Sequence, residues 1–135
     1  MPQTTNSPTQ TVEQLIAALS EGQLQTVMSF YDANATFLAQ PTTPAIGTDA
    51  IRQAMEGFMQ SLKPKLNIEK SREFILGDVA CVVAQWSGSG TSPDGSVVEM
   101  AGRSANVLAR KADGHWVVLL DNPWGTDLFG QLDMS

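Results

Sequence analysis

The stretch Gly102–Trp124, GRSANVLARKADGHWVVLLDNPW, constrains the fold more than any other. It reads as two strands joined by a tight turn, because Asp113-Gly114 tolerates the positive φ of a two-residue hairpin. The second strand, Trp116-Val117-Val118-Leu119-Leu120, has no polar break, which predicts cover on both faces. It ends in Asp121-Asn122, polar groups closing an apolar run, and a site is expected there. The same punctuation recurs upstream. Leu66, Ile68, Phe74 and Leu76 alternate with polar neighbours, and Gly77-Asp78 turns the chain into Val79–Gly88. Pro93-Asp94-Gly95 makes the next turn. Four long strands in meander order predict an antiparallel sheet.

The first half has helical spacing instead. Thr11 and Gln14 stand as a capping box, and Val12, Leu15, Ile16 and Leu19 form one apolar stripe. Glu21-Gly22 stops that helix, and a second short one carries Leu24, Val27, Met28 and Tyr31. Asn34–Leu38 reads as a short strand, and 40–47, with two prolines and a glycine, as loop. Thr48 is the expected N-cap of a third helix whose face is Ile51, Ala54, Met55, Phe58, Met59 and Leu62, ended by Pro64. Helices first and sheet last is the α+β layout, with the helices on one face of the sheet.

The 135 residues suit one domain, read as residues 11–135 behind a disordered polar tail at 1–10. A chain of this length buries roughly two thirds of its unfolded surface, so its core needs no staples. The net charge of −6 and the lack of a basic stripe argue against nucleic acid or an anionic membrane as partner. One Cys excludes an intrachain disulfide, and one Cys with one His is a poor basis for a metal site. No apolar run reaches the roughly 18 residues of a membrane span. The N-terminus lacks the features of a signal peptide, so the expected setting is cytoplasmic, and Asn34-Ala35-Thr36 is read as a chance glycosylation match.

Four motifs in order give the chain a resemblance. They are Phe30-Tyr31-Asp32-Ala33-Asn34-Ala35-Thr36-Phe37, Ile46-Gly47-Thr48-Asp49-Ala50-Ile51, Gly77-Asp78-Val79-Ala80 and Asp113-Gly114-His115-Trp116. Over roughly residues 11 to 124 the chain resembles the nuclear-transport-factor-2-like superfamily, which includes ketosteroid isomerase and the SnoaL-like polyketide cyclases. The resemblance implies a cone-shaped barrel, in which a curved antiparallel sheet and helices enclose an apolar pocket. It also implies a homodimer through the outer face of the sheet. It does not carry over the isomerase chemistry, which needs a base beside a carbonyl and donors for the enolate oxygen. Ala39 stands where the isomerase has its Asp base, Leu15 near its oxyanion Tyr, and Asn106 at its second oxyanion acid.

Asp121 is the candidate base. With Asn106 inward, simple alternation puts Val117, Leu119 and Asp121 on the pocket side, where apolar walls raise a carboxyl pKa. The alternative is an exposed strand-end Asp or one bonded to loop amides. Asn106, between Ala105 and Val107, is expected to orient a carbonyl ligand or to be a satisfied core amide. Tyr31, Trp86, Met55, Leu119 and Trp124 are expected to line the pocket, although Met55 and Met59 also read as ordinary core filling. Arg103 is expected to pair with Glu99 rather than with a ligand carboxylate. His115 is read as a surface residue after a turn, Cys81 as buried core, and Trp116 as core or dimer face. No cofactor or metal is implied. Three functions fit: acid–base catalysis on a compact apolar carbonyl compound, binding of a small apolar molecule without chemistry, and a dimerisation module using Val97, Ala101, Ala105, Val107 and Ala109.

Overall fold

The computed structural model describes residues 7–40 and 43–125. Helix α1 (Pro8–Ser20) and helix α2 (Leu24–Ser29) lead into strands β1 (Tyr31–Gln40) and β2 (Thr43–Ile46). Helix α3 (Thr48–Leu62) precedes strands β3 (Lys65–Leu76), β4 (Val79–Thr91), β5 (Val97–Arg110) and β6 (Trp116–Asp121). The architecture is α+β. No helix among the described residues is long and apolar enough to cross a membrane.

The six strands form one sheet in the order β2-β1-β6-β5-β4-β3. The meander β3 to β6 is antiparallel, as its turn residues require. Two expectations need correction. β1 runs parallel to β6, so the sheet is mixed, and among the described residues β2 and β3 are edges with one partner each, so it is open and not a closed barrel. Parallel pairing is open to a chain that returns to β1 after a long excursion through α3 and the four strands β2 to β5, because no tight turn fixes the relative direction.

Local corrections have local causes. α1 begins at Pro8, with Ser7 as N-cap in a reciprocal capping box with Gln10. Ser7 therefore caps the helix and residues 8–10 belong to it and not to a tail, while residues 1–6 lie outside the described ones. Tyr31 is the first residue of β1 and not the end of α2. The stretch read as loop at 40–47 contains β2, which pairs antiparallel with β1. Pro44 is tolerated because β2 is an edge strand. Gly47, at φ 91°, is the N-cap of α3 in place of Thr48.

The helices cover one face. α1 packs on β3, β4 and β6, and α3 on β1, β2 and β4. Val12, Leu15 and Leu19 of α1, Val27 of α2, and Ile51 and Met55 of α3 bury against Val82, Leu108 and Val118 of the sheet. Along β4, Ala80, Val82, Ala84 and Trp86 are buried, and the alternate residues face outward half-covered. β6 is flanked on both sides, and Trp116, Val117 and Val118 are all buried, as the unbroken run predicted.

Candidate functional site

A cavity of about 1000 Å³ lies between the helices and the sheet. α1 contributes Val12, Leu15, Ile16 and Leu19 to its wall, and α3 contributes Ala54, Met55 and Phe58. From the sheet side come Phe37, Trp86, Ser104, Asn106 and Asp121, with Trp124 from the segment after β6.

Asp121 reaches this cavity through a bulge. Leu108 pairs with Val118, but Val107 pairs with Leu120, so β6 has one extra residue, Leu119, opposite that step. The bulge reverses the alternation beyond it. Asp121 then shares the inner face with Val118, opposite Asn106 on β5 and beside Phe37 on β1. Val117 and Leu119 are not among the cavity-lining residues, contrary to simple alternation.

Asp121 is 8% exposed. Its Oδ2 accepts a hydrogen bond from the Tyr31 hydroxyl. Tyr31 is therefore a partner of the acid, and it is not among the residues that line the cavity. Burial pushes the Asp121 carboxyl up to about 6, against the downward pull of the Tyr31 hydrogen bond. Burial, followed by the adjacent Asp121 charge and the shared hydrogen bond, holds the Tyr31 phenol well above its ordinary value. The pair therefore consists of a carboxyl that titrates near neutrality and a phenol that remains protonated.

Asn106 is also buried, at 3% exposure. Its side-chain oxygen accepts the Asn122 N–H at 2.9 Å, which fixes the amide orientation. Among the described residues its Nδ2 makes no hydrogen bond to the protein. Asn122 organises the segment that follows. Its carbonyl accepts the Ala105 N–H at 2.8 Å, and its side-chain oxygen accepts the N–H groups of Trp124 and Gly125, each at 3.1 Å. The indole N–H of Trp86 donates to the Pro123 carbonyl at 3.0 Å, and that of Trp124 to the Leu38 carbonyl at 2.7 Å. Both indoles thus pin backbone and present apolar rings to the cavity. Trp86 lies over Gly102, where an added Cβ would come within 3.0 Å of the indole.

Met55 lines the cavity and is also core. Arg103 is exposed and makes no ion pair among the described residues, so the expected Glu99 pair is not formed. His115 is a surface residue whose Nδ1 contacts Asp113. Cys81 sits half-buried on the outer face and not in the core, because Ala80 and Val82 take the inward positions. Trp116 is core, with the Arg110 guanidinium 5.6 Å from its ring centroid. Among the described residues no group of three His, Cys, Asp or Glu could hold a metal ion.

Sequence reasoning missed Phe37, Phe58 and Ser104 as cavity residues. Ser104 was within reach, since it lies two positions from Asn106 on the same strand face. The hub role of Asn122 carried no signal beyond its type and place.

The SnoaL-like domain matches residues 12–119, most of the chain. The chain belongs to the SnoaL-like domain family. No curated protein matches this sequence. Three solved structures place the SnoaL-like chain among known folds. A nuclear transport factor 2-like superfamily protein from Salmonella enterica is 15% identical, with a TM-score of 0.77 over 84% of each chain. A ketosteroid isomerase-like protein from Erwinia carotovora is 16% identical, with a TM-score of 0.73 over 84% of this chain and 88% of that one. A protein described as a dehydratase of the same superfamily, from Streptomyces avermitilis, is 15% identical, with a TM-score of 0.75 over 84% and 90%. At these identities the likeness is one of fold.

Proposed function

We propose that this SnoaL-like protein catalyses an acid–base reaction, an isomerisation, cyclisation or dehydration, on a compact apolar carbonyl compound. The carrying observation is Asp121, a buried carboxyl on an apolar cavity held by the Tyr31 hydroxyl, with burial pushing its pKa up to about 6. A base of that strength is largely ionised at neutral pH, yet can return the proton it takes. Asp121 abstracts a proton beside the carbonyl, and the Asn106 Nδ2 amide donates to the developing oxygen. Tyr31 holds the carboxylate in position. The fold likeness to a ketosteroid isomerase-like protein and to a protein described as a dehydratase supports this class of reaction. A panel of cyclic and aromatic ketones, followed by exchange of the α-hydrogen into D₂O, tests it. Wild type should exchange one member of the panel and Asp121→Asn should not; equal exchange by both would contradict the assignment.

A second reading, a ligand carrier without chemistry, draws on Leu15 and Ala39. Both line the cavity, where a ketosteroid isomerase would carry its tyrosine and its base. Native mass spectrometry showing a retained, unaltered small molecule would favour the carrier. We also infer a homodimer through the outer sheet face, where Leu76 is 81% and Phe74 50% exposed beside half-buried Cys81 and Val107. A cytoplasmic setting fits the lone cysteine, which leaves no disulfide framework to form.

A further inference from the structure

We propose that the cavity selects its ligands by charge, admitting neutral and cationic flat molecules and rejecting organic anions. The inference rests on the reading of the cavity as a ligand site, but not on any reaction there.

Asp121 puts a carboxyl on the cavity wall, exposed Glu99 is also among the lining residues, and no Lys, Arg or His lines it among the described residues. The residues outside the described ones bring none either, because 1–6, 41–42 and 126–135 hold no basic side chain. Arg52 and Arg103, each next to a lining residue in sequence, are not among the lining residues themselves, and other cations are engaged. Lys65 donates to the Ser20 carbonyl at 2.7 Å, Lys111 pairs with Asp32 at 2.9 Å, and Arg110 pairs with Asp78 at 2.7 Å. Both indole N–H groups are spent on backbone carbonyls. The N-terminus of α3, next to the lining residue Ala50, already carries Asp49 in its first turn.

A sulfonate or carboxylate entering the cavity would therefore lose water without gaining a counter-charge. It would also meet the aromatic rings of Phe37, Phe58, Trp86 and Trp124, whose π faces are negative. Those same faces tolerate a cation. Next to Asp121, an anion must face a second negative charge or bring a proton onto the carboxyl. The groups facing that carboxyl are Tyr31, which stays protonated, and the non-titrating Asn106 and Phe37. Glu99, exposed, is the other titratable group on the wall. With the Asp121 carboxyl titrating near 6, taking up that proton weakens anion binding about hundredfold at about pH 8 and hardly at all at about pH 5.

The test uses two fluorescent probes with one ring skeleton: neutral N-phenyl-1-naphthylamine, and 1-anilinonaphthalene-8-sulfonate, which adds an anion. The full chain is titrated with each, and only signal displaced by excess neutral probe is counted, so that binding to the outer sheet face drops out. At about pH 8 the neutral probe should bind at least tenfold more tightly. The gap should narrow several-fold at about pH 5, and also in Asp121→Asn at pH 8, with a cooperative urea melt of the variant reporting an intact fold. Equal affinities at pH 8, or a gap that persists in both arms, would overturn the inference and leave the ligand-site reading standing. Failure of both probes to bind would overturn the two together.

Discussion

The Tyr31 hydroxyl donates to Asp121 Oδ2 inside the protein, joining the first residue of β1 to the last residue of β6. The parallel pairing of these strands and the Leu119 bulge together make that contact possible. It is the polar feature that turns an apolar hollow into a candidate active site.

Tyr31 sets the basicity of Asp121. Its hydrogen bond lowers the Asp121 pKa against the upward push of burial. Tyr31→Phe should therefore move the Asp121 titration above about 6, by roughly one unit if one charge-assisted hydrogen bond of about 1.5 kcal/mol is lost. The lower limb of the pH–rate profile should shift upward by the same amount. Because the variant leaves a buried carboxylate short of a donor, it should also cost about 1–3 kcal/mol in urea unfolding at neutral pH.

Asp121 makes the protein less stable as pH rises. Its folded pKa, about 6, lies above the 3.8 of the free side chain, so the folded state binds more protons between those values. Its contribution is fully present below about 4 and is lost as pH rises through about 6; the shift corresponds to about 3 kcal/mol. Asp121→Asn should raise the unfolding free energy at pH 7.5 by up to that amount, with the gain vanishing near pH 4. Denaturant melts of both proteins across pH would show it.

Much of this was legible in sequence. Gly77-Asp78, Pro93-Asp94-Gly95 and Asp113-Gly114 mark the three turns of the meander, because turn residues act locally. Direction and register act at a distance. No residue in β1 announces a parallel partner in β6, and the Pro44 segment reads as loop until β1 lies beside it. Asp121 was found on the pocket side by an alternation that is broken at Leu119. A bulge adds one residue without a distinctive composition, so the acid was placed correctly while Val117 and Leu119 were not.

Asn122 supports the wall that Asp121 belongs to. It holds the Trp124 and Gly125 N–H groups and is itself held by Asn106 and Ala105. Asn122→Ala should cost about 2–4 kcal/mol, since two hydrogen-bonded amides lose their acceptor. It should weaken neutral-probe binding more than Asp121→Asn does.

Gly102 makes room for Trp86. Gly102→Val would drive a side chain into the indole that an added Cβ already meets at 3.0 Å. It should cost about 1–3 kcal/mol and release the indole from the Pro123 carbonyl. A red shift in tryptophan emission would report that release.

The outer face makes its own prediction. Leu76→Asp should convert a dimer to monomer in sedimentation velocity while leaving probe binding intact, because Leu76 is 81% exposed and away from the cavity.

The central claim is that Asp121 is a buried, tunable carboxyl, and its side-chain ¹³C shift followed through a pH titration tests this most directly. An inflection at about 6 that moves upward in Tyr31→Phe is the expected result. An inflection near 3.8, unchanged in that variant, would make Asp121 an ordinary solvated strand-end acid and rule out its role as a buried base.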